Sequence, residues 1–84
     1  MIRILIADDH ALVREGLRRI LSEMREVEVV ADTANGPDTL TQARATHPDL
    51  VLLDVSMPGR GGVETLQELK RLRPPPRVLV LSMH

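Results

Sequence analysis

Three acidic residues follow apolar runs of the sequence, where an ionised side chain is costly to bury without a partner. Asp54 closes the run 50–53, and Asp8 with Asp9 closes the almost wholly apolar run 2–7. Carboxylates without a histidine or cysteine cluster are typical ligands of a hard divalent cation such as Mg²⁺. A carboxylate beside such a cation can attack phosphorus and form an aspartyl phosphate. These residue types therefore predict magnesium-assisted phosphoryl transfer, and they leave open which acid attacks.

The runs around these acids alternate between strand and helix patterns. β-Branched apolar runs predict four strands, at 2–7, 27–31, 50–53 and 77–82. Apolar residues at helical spacing predict three helices, at 11–24, around 40–46 and around 63–72. The turn 35–38 is expected to lead into the second helix, with Pro37 at its first position. This strand–helix alternation predicts an α/β domain with right-handed crossovers and a parallel sheet covered by helices on both faces.

The predicted fold gives the first and third helices an inward apolar stripe and brings the acids together. The inner stripe of the first helix is expected to be Val13, Leu17, Ile20, Leu21 and Met24. That of the third helix is expected to be Val63, Leu66, Leu69 and Leu72.

Ligands of such sheets bind at the carboxyl ends of the strands, where the strand order reverses. If the first and third strands are neighbours there, Asp8, Asp9 and Asp54 converge in one shallow cleft. Their mutual repulsion would raise one pKa unless a cation lies between them.

Composition limits the classes of protein that the chain could be. Its 84 residues fit one small domain with a marginal core. Cysteine is absent, which excludes disulfides and thiolate metal sites, and the absence of Phe, Trp and Tyr excludes aromatic stacking on bases. A net charge of −1 lacks the basic surplus of an independent nucleic-acid binder. No apolar run approaches the ~20 residues that span a bilayer. We therefore expect a cytoplasmic protein with no membrane partner.

Three stretches resemble the receiver domain of two-component response regulators: LIADDHALVREGL, LVLLDVSMPGRGGVE and RVLVLSMH. The motif set is specific, because an acid pair after the first strand, an acid followed by Met-Pro-Gly after the third and a Ser ending the fourth occur in this order. The version is that of regulators whose second domain is a LuxR/NarL/FixJ-type helix-turn-helix. The resemblance implies a flavodoxin-like (CheY-like) three-layer α/β fold with the strand order 2-1-3-4-5, which that fold is known for.

The resemblance also implies a role for each residue that matches the motif. Asp54 resembles the phosphoacceptor and Asp9 the direct Mg²⁺ ligand, while Asp8 would bind the metal through water. The backbone carbonyl of Ser56 would complete the protein ligands. Ser82 would donate its hydroxyl hydrogen bond to a phosphoryl oxygen, which is the switch of the family. The loop beside the site would be shaped by Pro58 and Gly59.

The partners implied by the resemblance are a sensor histidine kinase and small phosphodonors such as acetyl phosphate. Phosphorylation would change the dimer state of a transcription regulator, which would bind DNA only through an effector domain absent from this sequence. The chain would be a substrate that assists its own phosphorylation and dephosphorylation, and not a turnover enzyme. Val13, Arg14 and Leu17 are candidates for the surface that meets the kinase.

A complete receiver continues through a further helix, strand and helix that this sequence does not contain. We therefore expect residues 1–84 to be the N-terminal part of a receiver domain, either a fragment or a truncated form. The family places a phosphate-pairing lysine at the end of the fifth strand, whereas Lys70, the only lysine here, is expected to point away from the cleft. Phosphorylation would then be slowed. The fourth strand would become an exposed edge that pairs with a second copy of the chain.

Several alternatives stay open from the sequence. The chain could be an interaction module that is never phosphorylated, or a magnesium-dependent phosphatase, although those resemble Asp-x-Asp after the first strand. The acids could only cap helices or turns. His10 is expected to be an exposed residue at a helix start, with a metal ligand or proton carrier as the alternative. Arg18 and Arg19 are expected on a solvated helix face, and the triple proline 74–76 is expected to end a helix rather than bind a proline-reading domain.

Overall fold

The computed structural model describes residues 1–57 and 61–81 and confirms the predicted alternation of strands and helices. Its elements are β1 (Ile2–Ala7), α1 (Ala11–Ser22), β2 (Val27–Thr33), α2 (Gly36–Thr46), β3 (Leu50–Asp54), α3 (Gly62–Lys70) and β4 (Arg77–Leu81). Pro58, Gly59 and Ser82, to which the resemblance gives roles, lie outside the described residues.

The four strands form one parallel sheet in the order β2-β1-β3-β4. This order matches the first four strands of the predicted 2-1-3-4-5 arrangement. The chain places β2 on one side of β1 and places β3 and β4 on the other side, so the strand order reverses between β1 and β3. Ligands of such folds bind in the crevice at the carboxyl ends of the two strands that flank this switch point. Ala7 pairs with Leu53 in the register, and the acids that follow these two residues are therefore adjacent.

The sheet is covered on both faces, as predicted. Alternate residues of β1 and β3 point to opposite faces. One face packs against α2 and α3 around Leu5 and Leu53, and the other packs against α1 around Ile6 and Leu52. The completely buried strand residues are aliphatic, apart from Asp54 at the end of β3, which fits a chain without aromatic side chains. The core therefore lies directly beneath the carboxyl ends of β1 and β3 and holds them in place.

The predicted bounds of α1 and β2 were wrong by two residues each. Helix α1 ends at Ser22 rather than Met24, because the backbone N–H groups of Glu23 and Met24 bond to the carbonyls three residues before them, which tightens the last turn. Strand β2 continues to Thr33, because it keeps pairing with β1 as far as Ala7. A partner strand, and not the local apolar pattern, decides where β2 ends.

Helix α2 begins at Gly36, about four residues before the predicted apolar stretch. The side chain of Asn35 caps this helix by accepting a hydrogen bond of 2.8 Å from the backbone N–H of Asp38. Pro37 occupies the second helical position rather than the first, where its missing N–H also costs nothing. The helix ends at Thr46, and the φ of 48° at its C-cap residue His47 lies in the left-handed region.

The predicted inner stripes were wrong at Ile20, Met24 and Val63, which are all more than half exposed. In α1, Leu17 and Leu21 pack on the sheet, and Ile20 lies about 100° around the helix from Leu21. In α3, the buried stripe runs through residues 62, 65, 66 and 69, which have i, i+3, i+4, i+7 spacing. A helix on a sheet buries only this narrow band, so apolar residues beside it stay exposed.

Gly62 marks a close approach between α3 and the turn after β3. A Cβ atom added there would overlap the backbone of Val55 and lie 2.8 Å from the carbonyl oxygen of Asp54. Gly62→Ala should therefore lower the free energy of unfolding by about 1–3 kcal/mol, as other overpacking substitutions do. Urea unfolding followed by circular dichroism measures this value in a chain without tryptophan.

Gly16→Ala is the matched control, because a Cβ atom at Gly16 meets nothing within 4 Å. Gly16 lies inside α1, so alanine should raise the free energy of unfolding by about 0.5–1 kcal/mol. Equal effects of the two substitutions would contradict the close packing of α3 on the Val55 turn.

Candidate functional site

The three predicted acids lie together at the carboxyl ends of β1 and β3. One oxygen from each of Asp8, Asp9 and Asp54, together with a ring nitrogen of His10, lies within 4.8 Å of the others. Asp8 and Asp54 are fully buried, and Asp9 is partly exposed. The backbone N–H of Asp8 donates to the carbonyl of Thr33 over 3.0 Å, which extends the pairing of β1 with β2 into the site. The predicted convergence of the acids is confirmed.

Asp54 is held by the turn that follows it. Its Oδ1 atom accepts hydrogen bonds from the backbone N–H of Ser56 over 2.8 Å and from the Ser56 hydroxyl over 2.6 Å. Burial raises the pKa of the Asp54 carboxyl, but the two bonds from Ser56 together with His10 and Asp9 outweigh it, so the pKa lies below its ordinary value of 3.8. Asp54 is therefore ionised at neutral pH, with one oxygen fixed in direction.

His10 lies beside the acids as well as at the start of α1. It is the N-cap residue of that helix, yet its side chain makes no capping bond. Its Nδ1 atom lies 2.9 Å from Asp8 Oδ1, 3.2 Å from Asp9 Oδ1 and 3.7 Å from Asp54 Oδ2. The hydrogen bond to Asp8 and the charges of the three acids raise the pKa of His10 above 6.5, despite some desolvation. The expectation of an exposed residue at a helix start is confirmed, since 51% of the side chain is accessible.

Each acid keeps one buried oxygen that has no hydrogen-bond partner among residues 1–57 and 61–81: Asp8 Oδ2, Asp9 Oδ1 and Asp54 Oδ2. Buried carboxylate oxygens are normally hydrogen-bonded. The half-exposed His10 ring, 3.2 Å from Asp9 Oδ1 and 3.7 Å from Asp54 Oδ2, offsets the charge of these atoms only in part. A divalent cation that prefers oxygen ligands would pair all three at once. The donor set at these strand ends therefore fits Mg²⁺.

An ion pair on α1 supports the site and was missed by the sequence analysis. The guanidinium group of Arg14 donates a 2.7 Å hydrogen bond from Nη1 to the carbonyl of Asp8, and its Nε lies 3.4 Å from Asp32 Oδ1. Arg18, expected on a solvated face, also pairs with Asp32. Two features of the sequence could have predicted this ion pair: Arg14 follows the acid pair at the start of α1, and Asp32 lies near the end of β2.

Two candidates for kinase contact also have roles within the chain. Leu17 packs against the sheet, and the Arg14 head group is engaged beside the site. Docking through Val13, Arg14 and Leu17 stays a prediction.

Comparison with known proteins agrees with this geometry. Residues 4–84 match the family model described as the response regulator receiver domain. The chain belongs to that family. Among solved structures, the signal receiver domain of the response regulator NarL from Mycobacterium tuberculosis superposes with a TM-score of 0.90 at 38% identity, covering 99% of this chain and 67% of that one. The receiver domain of RcsB from Salmonella enterica, solved with the phosphomimetic BeF3⁻, gives 0.89 at 28% identity, covering 99% and 62%. The predicted CheY-like fold is thereby confirmed.

Curated relatives of this receiver domain are response regulators. UvrY from Escherichia coli O6:H1 is 40% identical over 84 residues, and GacA from Pseudomonas aeruginosa is 43% identical over 83 residues. The alignments cover 100% and 99% of this chain but only 38% and 39% of those proteins. The chain therefore spans about two fifths of the length of these relatives and corresponds to their receiver part.

The Ser56 hydroxyl should stabilise the receiver domain only while Asp54 is ionised. Because the pKa of Asp54 is lowered by folding, this contribution is present above the ordinary value of 3.8 and is lost as pH falls through the folded-state value. Ser56→Ala should lower the free energy of unfolding by about 1 kcal/mol at neutral pH. Urea unfolding at neutral and strongly acid pH measures the change.

Ser22→Ala is the matched control, because the Ser22 hydroxyl donates to the carbonyl of Arg19 over 2.7 Å and faces no titrating group in that bond. Its effect should be the same at both pH values. An equal effect of Ser56→Ala at both pH values would contradict the ionic hydrogen bond.

Proposed function

We propose that this receiver domain accepts a phosphoryl group on Asp54 from the phosphohistidine of a sensor histidine kinase, with Mg²⁺ bound beside it. The observation that carries the proposal is the acidic cluster, in which three neighbouring carboxylates each keep a buried oxygen that has no hydrogen-bond partner within the described part of the chain. Membership of the receiver family supports a kinase as the donor. Acetyl phosphate and similar small phosphodonors present the same electrophilic phosphorus.

The protein ligands proposed for Mg²⁺ are the carboxylates of Asp9 and Asp54 and the backbone carbonyl of Ser56, with Asp8 acting through water. All are oxygen donors, the type that this ion prefers. When bound, Mg²⁺ neutralises charge on the phosphoryl oxygens and orients them. The protein contributes by holding the acids close together on two neighbouring strands, where His10 offsets their charge only in part and a cation would offset the rest.

The two oxygens of Asp54 have different tasks in this proposal. Oδ1 is fixed by the two hydrogen bonds from Ser56, whereas Oδ2 has no hydrogen-bond partner in the described chain. Oδ2 forms the new O–P bond while the P–N bond of the donor breaks. The electron pair of that bond passes to the imidazole nitrogen, which takes a proton from solvent. Because the low pKa of Asp54 keeps it ionised, no general base is required.

The signal would pass to an effector domain through Ser82, whose hydroxyl is proposed to donate a hydrogen bond to a phosphoryl oxygen. RcsB from Salmonella enterica has been solved bound to the promoter rprA with the same phosphomimetic, and it matches this chain with a TM-score of 0.90 at 28% identity. We infer a transcription regulator in which DNA is bound by the effector domain and not by residues 1–84.

The expected location in the cytoplasm stays a prediction. Within residues 1–57 and 61–81, no helix is long and apolar enough to cross a bilayer.

Two other functions are less well supported. An interaction module that is never phosphorylated does not explain why unpaired buried oxygens are collected at one point. An aspartyl phosphatase has its acids in an Asp-x-Asp pattern, whereas Asp8 and Asp9 are adjacent here. We therefore favour the phosphoacceptor, which is a substrate of the kinase and not a turnover enzyme.

Incubation with acetyl phosphate and Mg²⁺ should add one phosphoryl group per chain, located on Asp54 by peptide mass spectrometry. Asp54→Asn should abolish the adduct, because an amide oxygen is a far weaker nucleophile than a carboxylate. Removal of the metal with EDTA should also abolish it, because the acids then repel the incoming phosphate.

Asp49→Asn is the matched control, since Asp49 lies just before β3 at the opposite end of the same strand from Asp54. It should be phosphorylated like the wild type. An adduct on another residue, or one formed equally well without metal, would contradict the proposal. Repeated release of phosphate from small esters would instead support the phosphatase.

We also propose that the 84-residue chain self-associates through β4. This strand is one of the two edges of the described sheet, and its Leu79 and Val80 are 54% and 42% exposed. An exposed apolar edge offers unpaired backbone groups to a second strand. Sedimentation velocity should show association that increases with concentration.

Leu79→Lys should shift the population toward monomer, because a charged side chain on an edge strand opposes pairing. Leu12→Lys is the control, since Leu12 is even more exposed but lies on α1. It should associate like the wild type. A wild-type chain that stays monomeric at high concentration would refute pairing through β4.

A further inference from the structure

The ring of His10 lies at the mouth of the acidic cluster with one nitrogen directed inward. Its Nδ1 atom is 2.9–3.7 Å from one oxygen of each acid, while half of the side chain remains accessible. The side chain makes no capping bond to α1, although His10 is the N-cap residue of that helix. The position of the ring is therefore determined by the acids and not by a need of the helix.

The spacing of the four donor atoms fits a single metal ion. Ligands about 2.1 Å from an octahedral ion lie roughly 3 Å apart when adjacent and about 4.2 Å apart when opposite. Nδ1 lies 3.2 Å from Asp9 Oδ1 and 3.7 Å from Asp54 Oδ2, which is within the span between adjacent and opposite positions. Asp8 Oδ1, at 2.9 Å, is the hydrogen-bond partner of Nδ1, and one donor atom from each of the four residues lies within 4.8 Å of the others. Asp8 Oδ2 and Asp54 Oδ2 are buried and have no hydrogen-bond partner among the described residues, which is a further sign that a cation belongs there.

We propose that His10 Nδ1 is a direct ligand of the ion in this site and shifts its preference from Mg²⁺ toward borderline transition metals such as Mn²⁺ and Co²⁺. The inference rests on the proposed function, because it concerns the same acidic site. Imidazole nitrogen adds much to the binding of a transition metal and little to that of Mg²⁺, which prefers oxygen. On binding, Nδ1 exchanges its hydrogen bond with Asp8 for the metal, and Nε2 carries the ring proton toward solvent.

The first test is the ratio of the Kd values for Mg²⁺ and Co²⁺, measured by calorimetry at a single mildly alkaline pH with wild type and His10→Ala. The variant should bind Co²⁺ about tenfold more weakly, the scale of effect seen when metal sites lose a supporting group. Its affinity for Mg²⁺ should not fall. If His10 only pairs with the acids, its removal changes both affinities by the same factor, and the unchanged ratio overturns the inference.

The second test detects the nitrogen itself. Electron spin-echo modulation of bound Mn²⁺ should show coupling to an imidazole nitrogen in the wild type and none in His10→Ala. His47→Ala is the matched control, since His47 ends α2 and is not among the donors of the cluster. It should keep the coupling. Bound Mn²⁺ without nitrogen coupling in the wild type overturns the inference.

These outcomes are separable from failure of the proposed function. If Asp54 is phosphorylated with Mg²⁺ but Mn²⁺ shows no nitrogen coupling, only the role of His10 is wrong. If the wild type binds none of the three metals, both the site and the ligand role of His10 are overturned. Asp9→Asn provides the reference for loss of the site, because it should weaken Mg²⁺ and Co²⁺ together.

Discussion

The main constraint on this structure is that three carboxylates lie close together at the ends of two adjacent parallel strands. Asp8 and Asp54 are fully buried, and Asp9 turns one oxygen into the same space. Like charges at this separation repel, and low accessibility to water strengthens the repulsion. A fold selected only for stability would replace such residues with apolar ones. Their presence here makes the site suitable for binding a cation. Within the described chain, His10 supplies part of the positive charge.

The rest of the described chain holds the acids in that arrangement. The register of β1 with β3 aligns the residues that carry them, and aliphatic side chains beneath fix both strands. Arg14 donates to the backbone carbonyl of Asp8 and lies beside Asp32, so its charge is paired with an acid outside the cluster. Gly62 lets α3 begin against the turn in which Ser56 orients Asp54. These contacts hold the carboxylate of Asp54 in position, and none of them places a full positive charge beside it.

The sequence alone was sufficient for the elements and for the meeting of the acids, because Asp8 and Asp54 each close a buried aliphatic run, where a carboxylate is costly unless it serves a ligand site. The sequence was insufficient where a pairing strand or a side-chain hydrogen bond decides where an element begins or ends, or where a side chain points. Strand β2 ends where β1 stops pairing with it, and α2 begins where Asn35 can cap it. The inward direction of the His10 ring depends on the turn made by Asp8, whose Oδ1 accepts the His10 backbone N–H over 2.8 Å. Strand pairing and side-chain hydrogen bonds of this kind leave no periodic pattern in the sequence.

The most direct test of this account is the position of a divalent cation in crystals of the chain grown with Mn²⁺, located by its anomalous scattering. The account predicts one strong peak within about 2.5 Å of carboxylate oxygens from both Asp9 and Asp54, bridging the ends of β1 and β3. A peak elsewhere on the surface, or none while the acids keep the spacing described above, would contradict it.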